Sequence, residues 1–325
     1  SRFLKELDLS DDVIPLLRSG QAPSEAKDLI SFVATDVAPQ DDKKNAPSPL
    51  PTHFSFTQLK AFATCPLQYR FAHILHIPVK GSASFSFGKT MHLALQRFYQ
   101  EVINLNSREQ GDLFATPVIP VKLVPEQHRG TGIQPTGQIK IQPLEDLLNF
   151  YESAWIDDWY ESKKQKEEYF AKGKKILKDY YEKAEWRVPK FLEAGFHLKI
   201  GEYLLRGQID RIDTLPDGTV ELIDYKTGAS KKLDDLKLED KEQLLIYQLA
   251  ATESLCEKSS LLSFYYLDNN TRVSFLGTPA ELAKIKEKIT AEIKAIRASD
   301  FPAKPSSFHC AHCDFKGICE YAENG

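Results

Sequence analysis

The 325-residue chain carries 42 Lys and Arg against 46 Asp and Glu, a formal net charge of -4. That balance excludes a polycation that holds nucleic acid by bulk charge, although a local basic groove leaves no mark on the sum. No apolar run reaches the ~18–20 residues of a membrane span, no charged-then-apolar leader precedes a cleavage site, and five cysteines are too sparse and too odd in number for a disulfide framework; a cytoplasmic protein with no membrane partner is predicted.

Residues 1–35 read as short helical pieces and 38–53 (APQDDKKNAPSPLPTH) as a linker rich in Pro, Asp and Lys. A helix is predicted from an N-cap at Thr57 to about His73. A second covers about 87–103, where Met91, Leu95, Phe98 and Val102 form an apolar stripe. Residues 106–143, with many Gly and Pro and no steady period, read as an irregular insertion. A long charged helical stretch over about 144–192 carries Trp155, Trp159, Tyr160 and Tyr169 among Lys and Glu. β-like segments follow near 195–200, 203–213 and 219–226, the last two joined by the turn LPDGT. Residues 234–256 read as a helix ending in a buried thiol, Cys256. Strands are expected at 261–267 and 271–276, and a helix opened by Pro279 at 279–299. This order predicts an α/β fold with a central mixed sheet flanked by helices, a helical N-terminal part and a Cys-rich tail.

The segment GQIDRIDTLPDGTVELIDYKTG (207–228) carries the chemistry. Alternation along a strand puts Asp224 and Lys226 on one face. A turn centred on Asp217 pairs residues whose numbers sum to about 434, which sets Asp210 opposite Asp224 and Asp213 opposite Glu221 on the other face. Cross-strand neighbours have Cβ atoms roughly 4.5–5.5 Å apart, so the first pair repels unless a cation sits between its carboxylates. A hard divalent ion fits that gap. Lys226 is placed to orient a water or to meet developing negative charge.

Asp210 with Asp224-Tyr225-Lys226 resembles the core of the PD-(D/E)XK nucleases, in the form found in RecB-like and AddB-like nuclease domains. FSFGKTMHLALQRF (85–98) resembles that group's first motif, and the resemblance implies that His92 is a metal ligand. Gln243 and Tyr247, at i and i+4 on one helix face, match its Q-x-x-x-Y motif beside the active site. Glu193 matches an acidic residue that precedes the first strand in the family. The resemblance thus implies a deoxyribonuclease in which His92, Asp210, Asp224 and the Tyr225 backbone carbonyl hold Mg2+ or Mn2+, Lys226 positions the attacking water, and Gln243 and Tyr247 orient the lysine or its strand. Arg70, Arg97 and the lysines near 163–178 are candidate phosphate contacts, with the aromatic residues there as stacking partners.

Cys310, Cys313 and Cys319 lie within ten residues of one another, and Cys65 lies far upstream. Four thiolates suit tetrahedral zinc or an iron–sulfur cluster, and on spacing alone a C-x2-C knuckle favours zinc, with His309 and His312 as substitutes. The resemblance implies instead a 4Fe–4S cluster that staples the two ends of the domain. The opening SRFLKEL resembles the phrase that closes the motor region of UvrD/Rep-type helicases, while no GxxxxGK[ST] loop is present. The expected organisation is therefore a helicase seam over 1–53 and a nuclease domain over 54–325, the C-terminal part of a helicase–nuclease. Its expected function is exonucleolytic cleavage, preferring single-stranded DNA, in repair or recombination with a helicase motor. The rival readings are a non-catalytic DNA-binding module and a zinc-stapled adaptor.

Overall fold

A computed structural model describes residues 51–107 and 139–323. Of the segment expected over 1–53, residues 1–50 lie outside the described residues, as does most of the expected insertion. Among the described residues, 51–69 with 79–107 and 139–323 form one compact unit and 70–78 are assigned to another. The sheet and the candidate site belong to the first.

A five-stranded sheet is ordered β1 (Pro189–Ile200), β2 (Tyr203–Thr214), β3 (Val220–Lys226), β4 (Ser259–Tyr266), β5 (Thr271–Phe275). β1–β2, β2–β3 and β4–β5 are antiparallel and β3–β4 is parallel, so the sheet is mixed, as the element order predicts. Asp213 pairs with Glu221 and Arg211 with Ile223, the register expected from the turn at Asp217. A parallel pair needs a crossover, and the helix at Leu238–Glu253 supplies it between β3 and β4. Six of the seven β3 residues are buried, because a central strand covered on both faces has no solvent side.

Seven other α-helices are described before and after this crossover. In chain order the helices are α1 (Phe56–Thr64), α2 (Pro66–His73), α3 (Ala83–Ser107), α4 (Leu144–Ser153), α5 (Lys163–Lys183), α6 (the crossover), α7 (Pro279–Ala298) and the single-turn α8 (Ser307–Ala311). On one side of the sheet Phe87, Met91, Leu95 and Phe98 of α3 pack with Leu147 and Tyr151 of α4, Leu177 and Tyr180 of α5, and Ile223 and Tyr225 of β3. Below this apolar layer Arg211 is buried against Asp213, with two contacts of 2.7 and 2.6 Å, and its guanidinium stacks 3.9 Å from the Tyr99 ring. Such a pair is kept in the interior only where every proton finds an acceptor, and here Tyr180 and Tyr225 hydroxyls take the remaining guanidinium nitrogen.

Several boundaries differ from expectation for local reasons. The helix predicted over 57–73 breaks at Cys65, whose φ of -156° is the extended conformation favoured before Pro66. Its cap is Ser55 rather than Thr57, closed by a capping box with Gln58 at 2.8 and 3.3 Å. The stretch expected to be helical over 144–192 is α4, a loop and α5, and the chain already enters β1 at Pro189. In that loop Trp155 and Tyr160 stack at 5.3 Å, and Ser162 restarts the helix by accepting from Gln165 N–H at 3.1 Å. Cys256 is exposed rather than buried, because α6 ends at Glu253 and Cys256 turns the chain at a φ of +57°.

Gly173 sits inside α5, where glycine costs about 1 kcal/mol relative to alanine. Its role is steric, since a Cβ there would fall 2.1 Å from the Tyr151 hydroxyl, which bonds the carbonyls of Tyr169 and Phe170. Gly173→Ala is expected to destabilise the protein by roughly 1–3 kcal/mol despite the better helix propensity, read by chemical denaturation. A stabilised variant would show that Tyr151 does not need the gap.

Candidate active site

The β2–β3 ladder ends at Arg211–Ile223, and the two strands fork one step beyond it. At the fork Tyr225 N–H donates to Asp210 Oδ2 at 2.9 Å, and Tyr225 carbonyl accepts from His92 Nε2 at 3.1 Å. A side chain from β2 and one from α3 thus take the groups that a continued ladder would pair. The other ring nitrogen of His92 lies 3.4 Å from the same Asp210 oxygen. Glu193 on β1 completes the cluster: one ligand atom from each of His92, Glu193 and Asp210 lies within 4.8 Å of the others. Among the described residues no other group of three such side chains gathers so closely. Their chemistry, one imidazole and two carboxylates, fits a divalent cation.

Asp224 and Lys226 share the face of β3 opposite the Tyr225 ring, and Asp224 lies within electrostatic reach of His92 and Asp210. Lys226 Nζ lies 2.7 Å from the buried Asp224 Oδ2, an ion pair. Gln243 on α6 spans the two, donating to Asp224 Oδ1 at 2.8 Å and accepting from Lys226 at 2.8 Å. Its amide also reaches the Tyr247 hydroxyl one helical turn on, at 2.8 Å. Tyr247 is braced edge-on by Phe196, 5.9 Å away. Phe196 in turn lies across Gly207, where a Cβ would fall 2.3 Å from its ring.

Crowded carboxylates set the charge states. Burial lowers the affinity of His92 for a proton, but Asp210, Asp224 and Glu193 outweigh it and hold the ring cationic up to about 9. Burial, then the charges of Asp210 and Asp224, raises Glu193 to about 7. Asp224 is also raised, by burial first, against the opposing pull of Lys226.

The structure brings His92, Asp210, Asp224, Lys226, Gln243, Tyr247 and the Tyr225 carbonyl together. Glu193, expected to precede the first strand, stands inside β1 at a φ of +49°, a backbone irregularity that no composition signal announces. Arg97 lies five residues beyond His92, ~140° round α3, and donates to Ser153 Oγ at 3.0 Å. Arg70 lies in the last turn of α2. Lysines 163, 164, 166, 172 and 174 of α5 each meet a carboxylate, and Tyr169 and Phe170 pack inward rather than facing solvent.

Of the four thiols, Cys313 lies within electrostatic reach of Cys319 and Cys65. Cys65 Sγ accepts from Lys304 N–H at 3.4 Å, and Lys304 Nζ reaches the Ala63 carbonyl at 3.1 Å. Burial raises the Cys313 thiol, and the charges of Cys319, Asp314 and Cys65 add to the shift. All four are half-buried and free.

Residues 53–320 match the family described as the PD-(D/E)XK nuclease superfamily. No curated protein matches the sequence significantly. Among solved structures, SSO0001 is 15% identical, with 93% of this chain and 98% of that one covered at a TM-score of 0.33. A protein of Eubacterium rectale with an ascribed exonuclease activity is 11% identical, with 82% and 90% covered at 0.42. Neither likeness bears on the activity. No helix among the described residues is long and apolar enough to cross a membrane.

The charge states give a pH prediction for the metal-free protein. The fold keeps the Glu193 proton to about 7 rather than 4.5 and the His92 proton to about 9 rather than 6.5. The folded state therefore binds more protons in both windows, and stability falls as pH rises through them. Glu193→Gln is expected to flatten the fall between pH 5 and 7, and Mn2+ to stabilise the wild type most at the alkaline end, where its ligands are deprotonated. A melting temperature that rises across this range, or an Mn2+ effect indifferent to pH, would contradict the assignment of these charge states.

Proposed function

We propose, given that the chain belongs to the PD-(D/E)XK nuclease superfamily, that it is a metal-dependent deoxyribonuclease acting on single-stranded DNA as an exonuclease. The observation that carries this reading is the fork between β2 and β3, where three ligand side chains converge next to the buried Asp224 carboxylate and its Lys226 partner. His92, Glu193, Asp210, Asp224 and the Tyr225 carbonyl would hold one or two Mg2+ or Mn2+ ions. Such an ion, when bound, supplies an acidified water and a counter-charge for the phosphate.

The chain's own groups do the positioning. Lys226 presents an ammonium, tethered on two sides, to the attacking water and to negative charge developing on the phosphate. Gln243 holds that ammonium and Asp224 in one plane of contacts, so neither needs to reorganise as the reaction proceeds. Burial pushes the Tyr247 hydroxyl well above its ordinary value, which keeps it neutral as an anchor for Gln243. A helicase motor, in the same polypeptide or as a partner, would feed strands to this site during repair or recombination.

The four thiols support a 4Fe–4S cluster. Joining residue 65 to 310–319 would remove chain entropy from the unfolded state, a stapling role rather than a redox one.

Asp224→Asn and Lys226→Ala should each lower Mn2+-dependent cleavage of an end-labelled oligonucleotide by roughly 100-fold or more, with melting temperature held or raised in Asp224→Asn. Near wild-type cutting by either variant would sink the active-site assignment. Cys65→Ser should lose the brown colour and the iron of anaerobically prepared protein and lower its stability; about one zinc and no iron in the wild type would sink the cluster.

A further inference from the structure

Seven residues before His92 on α3 stands Phe85, 60% exposed, and three before it stands Lys89, exposed and without a hydrogen-bond or ion-pair partner among the described residues. At ~100° per residue, seven steps return within ~20° of the starting direction and three within ~60°. The three side chains therefore share one sector of the helix, with Lys89 about 4.5 Å and Phe85 about 10.5 Å from His92 along the axis. Between them Gly88 approaches the strand end, where an added Cβ would lie 3.4 Å from Thr227 Oγ1, the residue after Lys226. The sector thus runs up to the catalytic fork.

A second aromatic is fixed beside the start of this track. Trp159 has a φ of +73°, an outlier for a bulky residue. Two bonds to α3 pin its loop: Ser86 Oγ donates to the Asp158 carbonyl at 2.8 Å, and Ile156 N–H donates to Thr90 Oγ1 at 3.1 Å. The indole lies on Gly81, two residues before the helix begins, where a Cβ would come within 2.7 Å of its ring. Trp155 and Tyr160 of the same loop pack inward, yet Trp159 is 40% exposed. Strain of this kind, of order 1–3 kcal/mol, persists where the surroundings enforce it and clusters at binding sites.

We propose that Phe85, Lys89 and Trp159 form the track for the single strand adjoining the scissile phosphate. Lys89 takes a backbone phosphate next to the site, and Phe85 and Trp159 take bases by stacking. Stacking needs a base freed from its pair, so the track selects single strands over duplex. It also supplies affinity that does not depend on charge, which a chain of net charge -4 requires.

This inference rests on the nuclease reading, and one assay separates the two. The probe is a short fluorescein-labelled oligothymidylate, titrated in EDTA at several salt concentrations, alongside Mn2+-dependent cleavage of the same strand. Phe85→Ala should weaken binding roughly 5- to 100-fold with the salt slope unchanged, and raise KM with little change in kcat, while Phe85→Trp restores affinity. Lys89→Ala should lower the salt slope by ~0.7. If the wild type binds and cuts but both alanine variants keep its affinity and slope, or if Phe85→Ala weakens a blunt duplex equally, the track is wrong and the nuclease reading stands. If the wild type neither binds nor cuts, both fall.

Discussion

The hydrogen bond from Tyr225 N–H to Asp210 Oδ2 stands where an antiparallel ladder would place a main-chain carbonyl. A buried backbone donor must be satisfied, and satisfying it with a side chain lets β2 and β3 diverge without leaving an orphan. The divergence opens the space into which His92, Glu193 and Asp210 project. The same residue's carbonyl accepts from His92, so one residue's main chain aligns ligands from two other elements. Continuing the ladder by one pair would bury these polar groups against each other and close the site.

β3 serves two environments at once. Asp224 and Lys226 face Gln243, and the intervening Tyr225 carries its ring to the opposite side, among Tyr180, Tyr265 and the Arg211–Asp213 pair. On the far side the Arg211 guanidinium is paired with Asp213 and bonded to tyrosine hydroxyls; the near side holds like charges close together, which makes the metal-free site unfavourable. Stability from one face offsets the electrostatic cost of the other, with the strand as the common element.

α3 has a similar division. Its apolar stripe fills the core between α4, α5 and the sheet, while His92 and its exposed neighbours occupy another sector. A 25-residue helix anchored along its length by that stripe does not roll. The angular position of His92 relative to β3 is accordingly as well defined as the core itself, which a ligand held at hydrogen-bond distances from two strands demands.

Much was legible from the residues in order. The alternation in 207–226 and the turn at Asp217 determined the hairpin and its register, and therefore that Asp213 would meet Glu221 and that Asp224 and Lys226 would share a face. The stripe through Met91, Leu95, Phe98 and Val102 determined which sector of α3 is core. Family resemblance connected His92, Gln243 and Tyr247 to that hairpin, although nothing in their local sequence brings them near it. The tertiary structure alone decided the rest. Glu193 reaches the cluster through a positive φ that sequence alternation cannot encode. The helix expected over 144–192 is interrupted by a loop in which Trp155 packs on the core and stacks with Tyr160, and Trp159 of that loop is exposed. Periodicity reports which residues prefer burial within one element; convergence of separate elements depends on packing between surfaces, and that information exists only once the chain has folded.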